Sequence, residues 1–160
     1  MGRQLTCPGR ATHWLIVLTV VPCLRAVAAG PTNHLQDAVE SHMATVLKVS
    51  GRLRVPQLRF APRSDTLLSS AEPTVRRLAH VLVSVPGTYL IEAHVVPTRD
   101  ATADQALTDQ RASAVKSRLI HHGVPPKRLL AMGFGGTKPL SQAVDDDPSP
   151  SERIEITKIQ

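Results

Sequence analysis

Few residues of this chain have types and spacings suited to chemistry. One of them is an arginine on the apolar face of a predicted helix. Arg111 falls on the same predicted helical face as Val115 and Leu119, so its guanidinium should point toward the rest of the fold. A guanidinium is a rigid fork of N–H donors that suits a carboxylate ligand. The residue types alone leave open what this guanidinium binds. An ion pair with Asp104 or Glu155, or a side-chain stem lying over apolar surface, is the structural alternative.

Other combinations of reactive residues are weak. Three adjacent carboxylates at Asp145–Asp147 lack the alternating spacing of a calcium loop, which favours a solvated turn. His121 and His122 have no third ligand nearby in the sequence, so we predict no zinc site. No serine, histidine and acid are arranged as a nucleophile with its base and its orienting group. The sequence therefore predicts no enzyme, no metal site and no cofactor.

The formal charge of +6 at first suggests nucleic acid or an anionic membrane as partner. Arg3, Arg10 and Arg25 belong to an N-terminal segment that we expect to be removed, and +6 less these three charges leaves +3. The remaining aromatic residues are too few to form a stacking surface for single-stranded nucleic acid. Nucleic acid is therefore not a predicted partner.

Residues 1–29 are predicted to be a signal peptide. A positively charged start precedes an apolar run from Trp14 to Leu24, and small residues follow it. Because this run is shorter than the about 20 residues that span a bilayer, we expect cleavage near Ala28 or Ala29 and no transmembrane segment in the mature chain. An uncleaved anchor is the alternative.

The two cysteines, Cys7 and Cys23, both lie in this segment. Cys23 ends the apolar run as a lipidated cysteine would, but the preceding Pro22 is neither small nor flexible, which disfavours lipidation. The mature chain should then lack disulfides and thiolate metal sites.

The rest of the chain alternates strand and helix patterns. An amphipathic helix from Asn33 to about Lys48 is predicted to pack on its own domain, or alternatively to dock on a partner. Two more helices are predicted, at Ser70–Val85 and from a capping box at Thr102–Gln105 to His122. The predicted strands are Leu53–Phe60, Thr88–Val96, Leu129–Met132 and Arg153–Lys158.

The first predicted strand contains Pro56, which cannot donate to a ladder and so belongs at a sheet edge. Helices between strands indicate crossover connections. The expected fold class is α/β (α+β sandwich), with β-α-β-α-β-β order and a mixed sheet that carries its helices on one face.

Six segments, in order and spacing, resemble the OmpA-like C-terminal domain family over about Leu53 to Ile156. They are Leu58-Arg-Phe60, Leu90–His94, Leu107–Ala112, Gly123-Val-Pro with Arg128-Leu129, Gly133-Phe-Gly135 with Pro139, and Arg153–Ile156. We accordingly expect an N-terminal helix or linker at 30–52 and an OmpA-like domain at 53–160.

The resemblance implies a non-catalytic domain that holds the diaminopimelate moiety of the peptidoglycan stem peptide. In the family an aspartate binds the ammonium of this ligand and an arginine binds its carboxylate. Arg111 stands at the arginine position, but Val96 stands at the aspartate position. His94 and Arg153 are kept from the family's polar set. Other positions differ from the family pattern. Ala93 replaces its glycine, Val95 its threonine and Asp104 its asparagine, and Ser151-Glu152 replaces its Asn-Arg.

We therefore predict a peptidoglycan site at Arg111, His94 and Arg153, weakened unless Asp100 or Asp104 replaces the missing acid. A histidine satisfied at a strand end and an arginine paired with acidic neighbours are the structural alternatives for His94 and Arg153. The predicted location is the periplasm or cell envelope after signal-peptide cleavage. The functional alternative is a protein-interaction module of an envelope or secretion assembly that has lost peptidoglycan binding.

Overall fold

The structure is a computed structural model that describes residues 34–138 and 152–160. The predicted signal peptide, the helix cap at Asn33 and the acidic turn at Asp145–Asp147 lie outside the described residues. Over the residues that are described, no helix is both long enough and apolar enough to cross a membrane.

Helices and strands alternate along the described chain. The helices are α1 (His34–Val49), α2 (Glu72–Ser84) and α3 (Ala101–His121). The strands are β1 (Arg52–Arg54), β2 (Tyr89–His94), β3 (Leu129–Gly133) and β4 (Arg153–Lys158). From β1 onward the order is β-α-β-α-β-β, which confirms the predicted fold class.

The four strands form one mixed sheet in the order β1-β4-β2-β3. β4 is antiparallel to β1 and to β2, whereas β2 and β3 are parallel and joined by α3. β1 lies at the edge, as predicted, but it is shorter than predicted. Pro56 has no N–H to extend the ladder, and Phe60 forms only an isolated bridge with Leu67.

The hydrophobic core lies between the helices and one face of the sheet. Ile91 and Ala93 of β2 and Ile154 and Ile156 of β4 are buried in it. The helices contribute Met43, Leu47, Val75, Leu78, Leu82, Val115 and Leu119. Because side chains alternate along a strand, the polar residues between these apolar ones lie on the opposite face. The burial of two α1 residues shows that α1 packs on its own domain.

α3 begins at Ala101 because Asp100, and not Thr102, caps it. The Asp100 carboxylate accepts a hydrogen bond from the backbone N–H of Ala103 at 2.9 Å. The predicted capping box is therefore wrong: aspartate caps as well as threonine does, and it allows the helix to begin earlier. The Gln105 side chain donates instead to the carbonyl of Gly133 at 2.9 Å, which ties α3 to the end of β3.

The end of β3 and the turn after it pack closely against α3. The N–H of Gly133 donates to Asp109 Oδ1 at 2.8 Å, and the N–H of Gly135 donates to Thr108 Oγ1 at 2.9 Å. A Cβ on Gly133 would lie 2.4 Å from the backbone nitrogen of Asp109. Glycine at 133 therefore allows α3 to contact the sheet.

Arg128 stabilises the segment between α2 and β2 by hydrogen bonds to its backbone. Its Nε donates to the carbonyl of Gly87 at 2.7 Å, its Nη2 donates to the carbonyl of Val85, and its guanidinium lies over the Tyr89 ring. The Tyr89 hydroxyl donates to the same Val85 carbonyl at 2.8 Å. The arginine of the Gly123-to-Leu129 motif therefore has a structural role.

Candidate functional site

A pocket of about 560 Å³ opens at the end of the sheet where β2 finishes and β4 begins. One wall is apolar and comes mainly from the segment after β1, with Leu58, Phe60 and Leu68. The polar lining residues are Arg54, Arg59, His94, Arg111, Glu152 and Arg153. The pocket thus brings together three of the five predicted site residues, which are far apart in sequence.

Arg111 reaches this pocket from the buried face of α3 and is only 3% exposed. Its Nε donates to the carbonyl of Ser64 at 2.9 Å, and its guanidinium carbon lies 4.9 Å from the centre of the Phe60 ring. These contacts fix the orientation of the guanidinium and occupy one of its five N–H donors. The prediction that Arg111 points toward the fold is confirmed.

The acid beside Arg111 is Glu152. Its Oε1 lies 3.4 Å from Arg111 Nη1, and its side chain is 56% exposed. A charge-assisted hydrogen bond between these groups is normally 2.7–2.9 Å. The Glu152 carboxylate is therefore close to Arg111 but not tightly held by it. The structural pairing expected for Arg111, with Asp104 or Glu155, is wrong.

Arg153 pairs with an acidic neighbour, as its structural alternative predicted. Its Nε donates to Glu155 Oε1 at 2.6 Å, and its Nη2 donates to the carbonyl of Lys138 at 3.1 Å. Its Nη1 is buried and has no hydrogen-bond partner among residues 34–138 and 152–160. Arg153 is therefore anchored on one side by Glu155 and Lys138, and on the other its Nη1 makes no hydrogen bond to the residues that the structure describes.

His94 is opposite Arg153 in the ladder and is 2% exposed. Its ring stacks on Phe134, with 5.2 Å between ring centroids. Neither ring nitrogen has a hydrogen-bond partner within the described ranges, and Nε2 lies 3.9 Å from Glu92 Oε2. The description of His94 as a satisfied strand-end histidine is therefore wrong.

Glu92, His94 and Glu155 form a buried cluster whose ligand atoms lie within 4.8 Å of one another. The spacing of these ligand atoms would allow them to coordinate a metal ion. Four cationic side chains already face the two carboxylates within 4 Å: Arg52, Arg54, Lys138 and Arg153. Their charges neutralise the carboxylates and would repel a metal cation, so the geometry does not favour a metal site.

We expect His94 to make stability depend on pH. Burial and the charge of Arg153 lower the pKa of His94 to about 4, while Glu155 and Glu92 oppose this shift. The unfolded value is about 6.5, so only the unfolded state gains this proton as the pH falls from 6.5 toward 4. The free energy of unfolding should therefore fall in that window, by on the order of 2–3 kcal/mol from this residue.

Urea unfolding of the protein and of His94→Phe between pH 7.5 and 4.5 measures this effect. Phenylalanine keeps an aromatic ring against Phe134 but cannot titrate, so the variant should show the weaker pH dependence between pH 6.5 and 4.5. Equal slopes in the two proteins would show that His94 does not become protonated on unfolding.

The sequence profile of the OmpA family matches residues 59–153, more than half of the chain. The chain belongs to the OmpA family. The matched region begins just before Phe60, ends at Arg153, and contains Arg111 and His94, so it includes most of the pocket lining. The predicted family resemblance is confirmed.

Relatives of this OmpA-family chain include the Escherichia coli (strain K12) protein named "Probable lipoprotein YiaD". It is 31% identical over 103 residues, which are 61% of this chain and 46% of that protein. The chain thus spans less than half the length of this curated relative.

Solved structures of low sequence identity share the fold. A MotB-like protein from Desulfovibrio vulgaris has a TM-score of 0.60 at 22% identity, covering 77% of this chain and 90% of that one. The periplasmic domain of Helicobacter pylori MotB has a TM-score of 0.58 at 20% identity, covering 68% and 75%. The OmpA-like domain of FopA1 from Francisella tularensis has a TM-score of 0.56 at 19% identity, covering 66% and 69%.

Two predicted site residues of this OmpA-family chain lie away from the pocket lining. Asp104 is 6% exposed and accepts hydrogen bonds from the N–H and hydroxyl of Thr98 at 2.7 and 2.8 Å. Asp100 caps α3. Val96 is 36% exposed and does not line the pocket either. A ligand-binding role for Asp100 or Asp104 stays a prediction, which this geometry does not favour.

Three residues of the site were not predicted from the sequence: Glu152, Phe60 and Ser64. Phe60 was predicted as part of the first strand and of the family segment Leu58-Arg-Phe60, and Ser64 contributes a backbone carbonyl that no side-chain pattern reveals. Glu152 carried a usable signal, because an acid stands there in place of the basic residue of the family pattern.

Proposed function

We propose that this protein is a non-catalytic module that binds the stem peptide of peptidoglycan through the Arg111 pocket. The buried guanidinium of Arg111, held over Phe60 and open to a pocket at the family's arginine position, carries the proposal. It is oriented before the ligand arrives, so binding a carboxylate costs little side-chain entropy. The reaction chemistry of an enzyme is not needed for this function.

The proposed location is the periplasmic side of the cell envelope, after cleavage of a signal peptide at residues 1–29. The periplasmic MotB domain and the named lipoprotein relative support a location of this kind. Peptidoglycan is the proposed partner, and an envelope protein is a possible second one.

A protein-interaction module is the second candidate. The observation that favours it is the exposed apolar side of α1, where Leu35 is 84% and Val39 is 46% exposed. The valine at position 96 favours it as well, because the family's ammonium acceptor is absent there. On this alternative the fold is kept and α1 docks on an envelope or secretion protein.

Co-sedimentation with purified sacculi tests the first candidate. We expect the protein to pellet with sacculi and Arg111→Ala to reduce binding at least about tenfold, because a charged hydrogen bond contributes about 1.5–3 kcal/mol. Arg111→Lys should also bind weakly, since a lysine keeps the charge but loses the fork. Lys127→Ala, which removes an exposed positive charge outside the pocket lining, should bind as the parent does.

Equal sedimentation of the parent and Arg111→Ala would contradict the proposal. If the parent stays in the supernatant and Val96→Asp pellets, the fold has kept a site whose acid was lost, and the second candidate is favoured. Circular dichroism of each variant confirms that the fold is retained.

A further inference from the structure

The geometry points to Glu152 as the ammonium acceptor of this pocket, in place of the acid that Val96 does not supply. This inference rests on the proposed function and concerns the same ligand. The expected ligand class is an amino-acid head that carries a free ammonium beside a carboxylate, with the ammonium at Glu152 and the carboxylate at the arginines.

The charge of the pocket lining makes an acceptor necessary. Four guanidinium groups line it, from Arg54, Arg59, Arg111 and Arg153, and Glu152 is the one acid among its lining residues in the described part of the chain. A ligand ammonium in this pocket is repelled by every arginine. Among the lining side chains that the structure describes, the Glu152 carboxylate is the group whose charge attracts it.

Glu152 has the capacity for this contact. A carboxylate can accept about four hydrogen bonds. Among the described residues Glu152 accepts one, from Arg111 Nη1, and this bond is long at 3.4 Å. More than half of the side chain is exposed, so a ligand can reach it. The neighbouring Arg111 guanidinium is oriented by Ser64 and Phe60. Opposite charges therefore lie side by side, which matches the two ends of a zwitterion.

Two departures from the family pattern now have one explanation. The acid is missing at Val96, and an acid appears at Glu152 where the family pattern has a basic residue. Glu152 immediately precedes β4, and Arg111 lies on α3, so the two meet through the fold and not through local sequence. The ammonium acceptor is thus expected at position 152 instead of position 96, and the site keeps one acid beside Arg111.

The test compares two probes, L-Ala-γ-D-Glu-meso-diaminopimelate and the same tripeptide with its free side-chain amine acetylated. Acetylation removes the ammonium and keeps the neighbouring carboxylate. Titration calorimetry of the purified protein should show about tenfold or greater preference for the free amine, the range expected for a charged hydrogen bond. Glu152→Gln should abolish that preference by weakening the free-amine probe about tenfold, with the acetylated probe changed by less than about threefold.

Asp37→Asn is the matched control, because it removes one exposed carboxylate on α1 outside the pocket lining and should leave both affinities as in the parent. If Glu152→Gln keeps the free-amine preference, the inference is overturned while the proposed function stands. If the parent binds neither the probes nor sacculi, both are overturned. Because Glu152 is largely exposed, its amide variant should fold, and circular dichroism checks this.

Discussion

Glu155→Leu is expected to lower the free energy of unfolding by about 3–5 kcal/mol, the cost of leaving one charge of a buried pair without its partner. Glu155 is 3% exposed and receives the Nε hydrogen bond of Arg153, which is 8% exposed. Burial alone would raise the pKa of Glu155, but the Arg153 hydrogen bond and the charges of Arg153 and Arg52 outweigh it, so the pKa is lowered. The carboxylate is therefore ionised and stabilising in the folded protein at neutral pH.

Removal of Glu155 also takes the hydrogen-bond acceptor from Arg153 Nε. The Nη1 of the same guanidinium already lacks a partner among the described residues. Urea unfolding measures the loss. The double variant Glu155→Leu/Arg153→Met is the control, because removing both partners of a buried pair avoids the isolated charge. It should recover at least about half of the lost stability. A double variant as unstable as the sum of the single variants would show that the pair is not coupled.

Gly133→Ala is expected to destabilise the fold by about 3 kcal/mol, the upper part of the range for an overpacked contact. The added Cβ would lie 2.4 Å from Thr108 Oγ1 and 2.6 Å from the Thr108 carbonyl carbon. Backbone atoms of α3 cannot rotate out of the way, so the helix must separate from β3. The hydrogen bonds of Gly133 N–H to Asp109 and of Gly135 N–H to Thr108 would lengthen with it.

Gly123→Ala is the matched control for this effect. Gly123 has φ +94° and a Cβ there meets nothing within 4 Å, so alanine brings backbone strain of about 1–2 kcal/mol without a contact. Thermal unfolding and urea unfolding should both rank Gly133→Ala as less stable than Gly123→Ala. The reverse order would mean that α3 can shift away from β3 at small cost.

The sequence predicted the fold because periodicity and turn residues agree along most of the chain. β4 was predicted with its observed bounds, since Ile154 and Ile156 alternate with polar residues. The predicted ends of β1 and α3 were less accurate, because more than one residue there can decide where the element begins or ends. Pro56 truncated β1, and Asp100 competed with Thr102 for the cap of α3. Such choices depend on which amide each side chain reaches in three dimensions, and a pattern of residue types does not contain that distance.

The site was predicted in part for a related reason. The helical stripe placed Arg111 on the buried face, and strand ends placed His94 and Arg153 near it. The acid beside Arg111 was sought in the loop after β2, but those acids satisfy Thr98 and the start of α3. Arg153 was predicted through its family segment, whereas the acid before it was not connected with Arg111, because only the pairing of β4 with β2 brings Glu152 beside that guanidinium.

The position of β4 in the sheet has a consequence for how the chain acquires its structure. β4 lies between β1 and β2, so these two earlier strands have no direct pairing with each other. Among the strands of the described residues, β1 pairs only with β4, so nascent chains that stop before residue 153 can form at most the β2–β3 pair. The loop closed by β1 and β4 is about 100 residues long, which makes this step entropically costly and slow. Ribosome-bound chains arrested before Arg153 should therefore remain sensitive to proteases, and resistance should appear only once β4 has emerged.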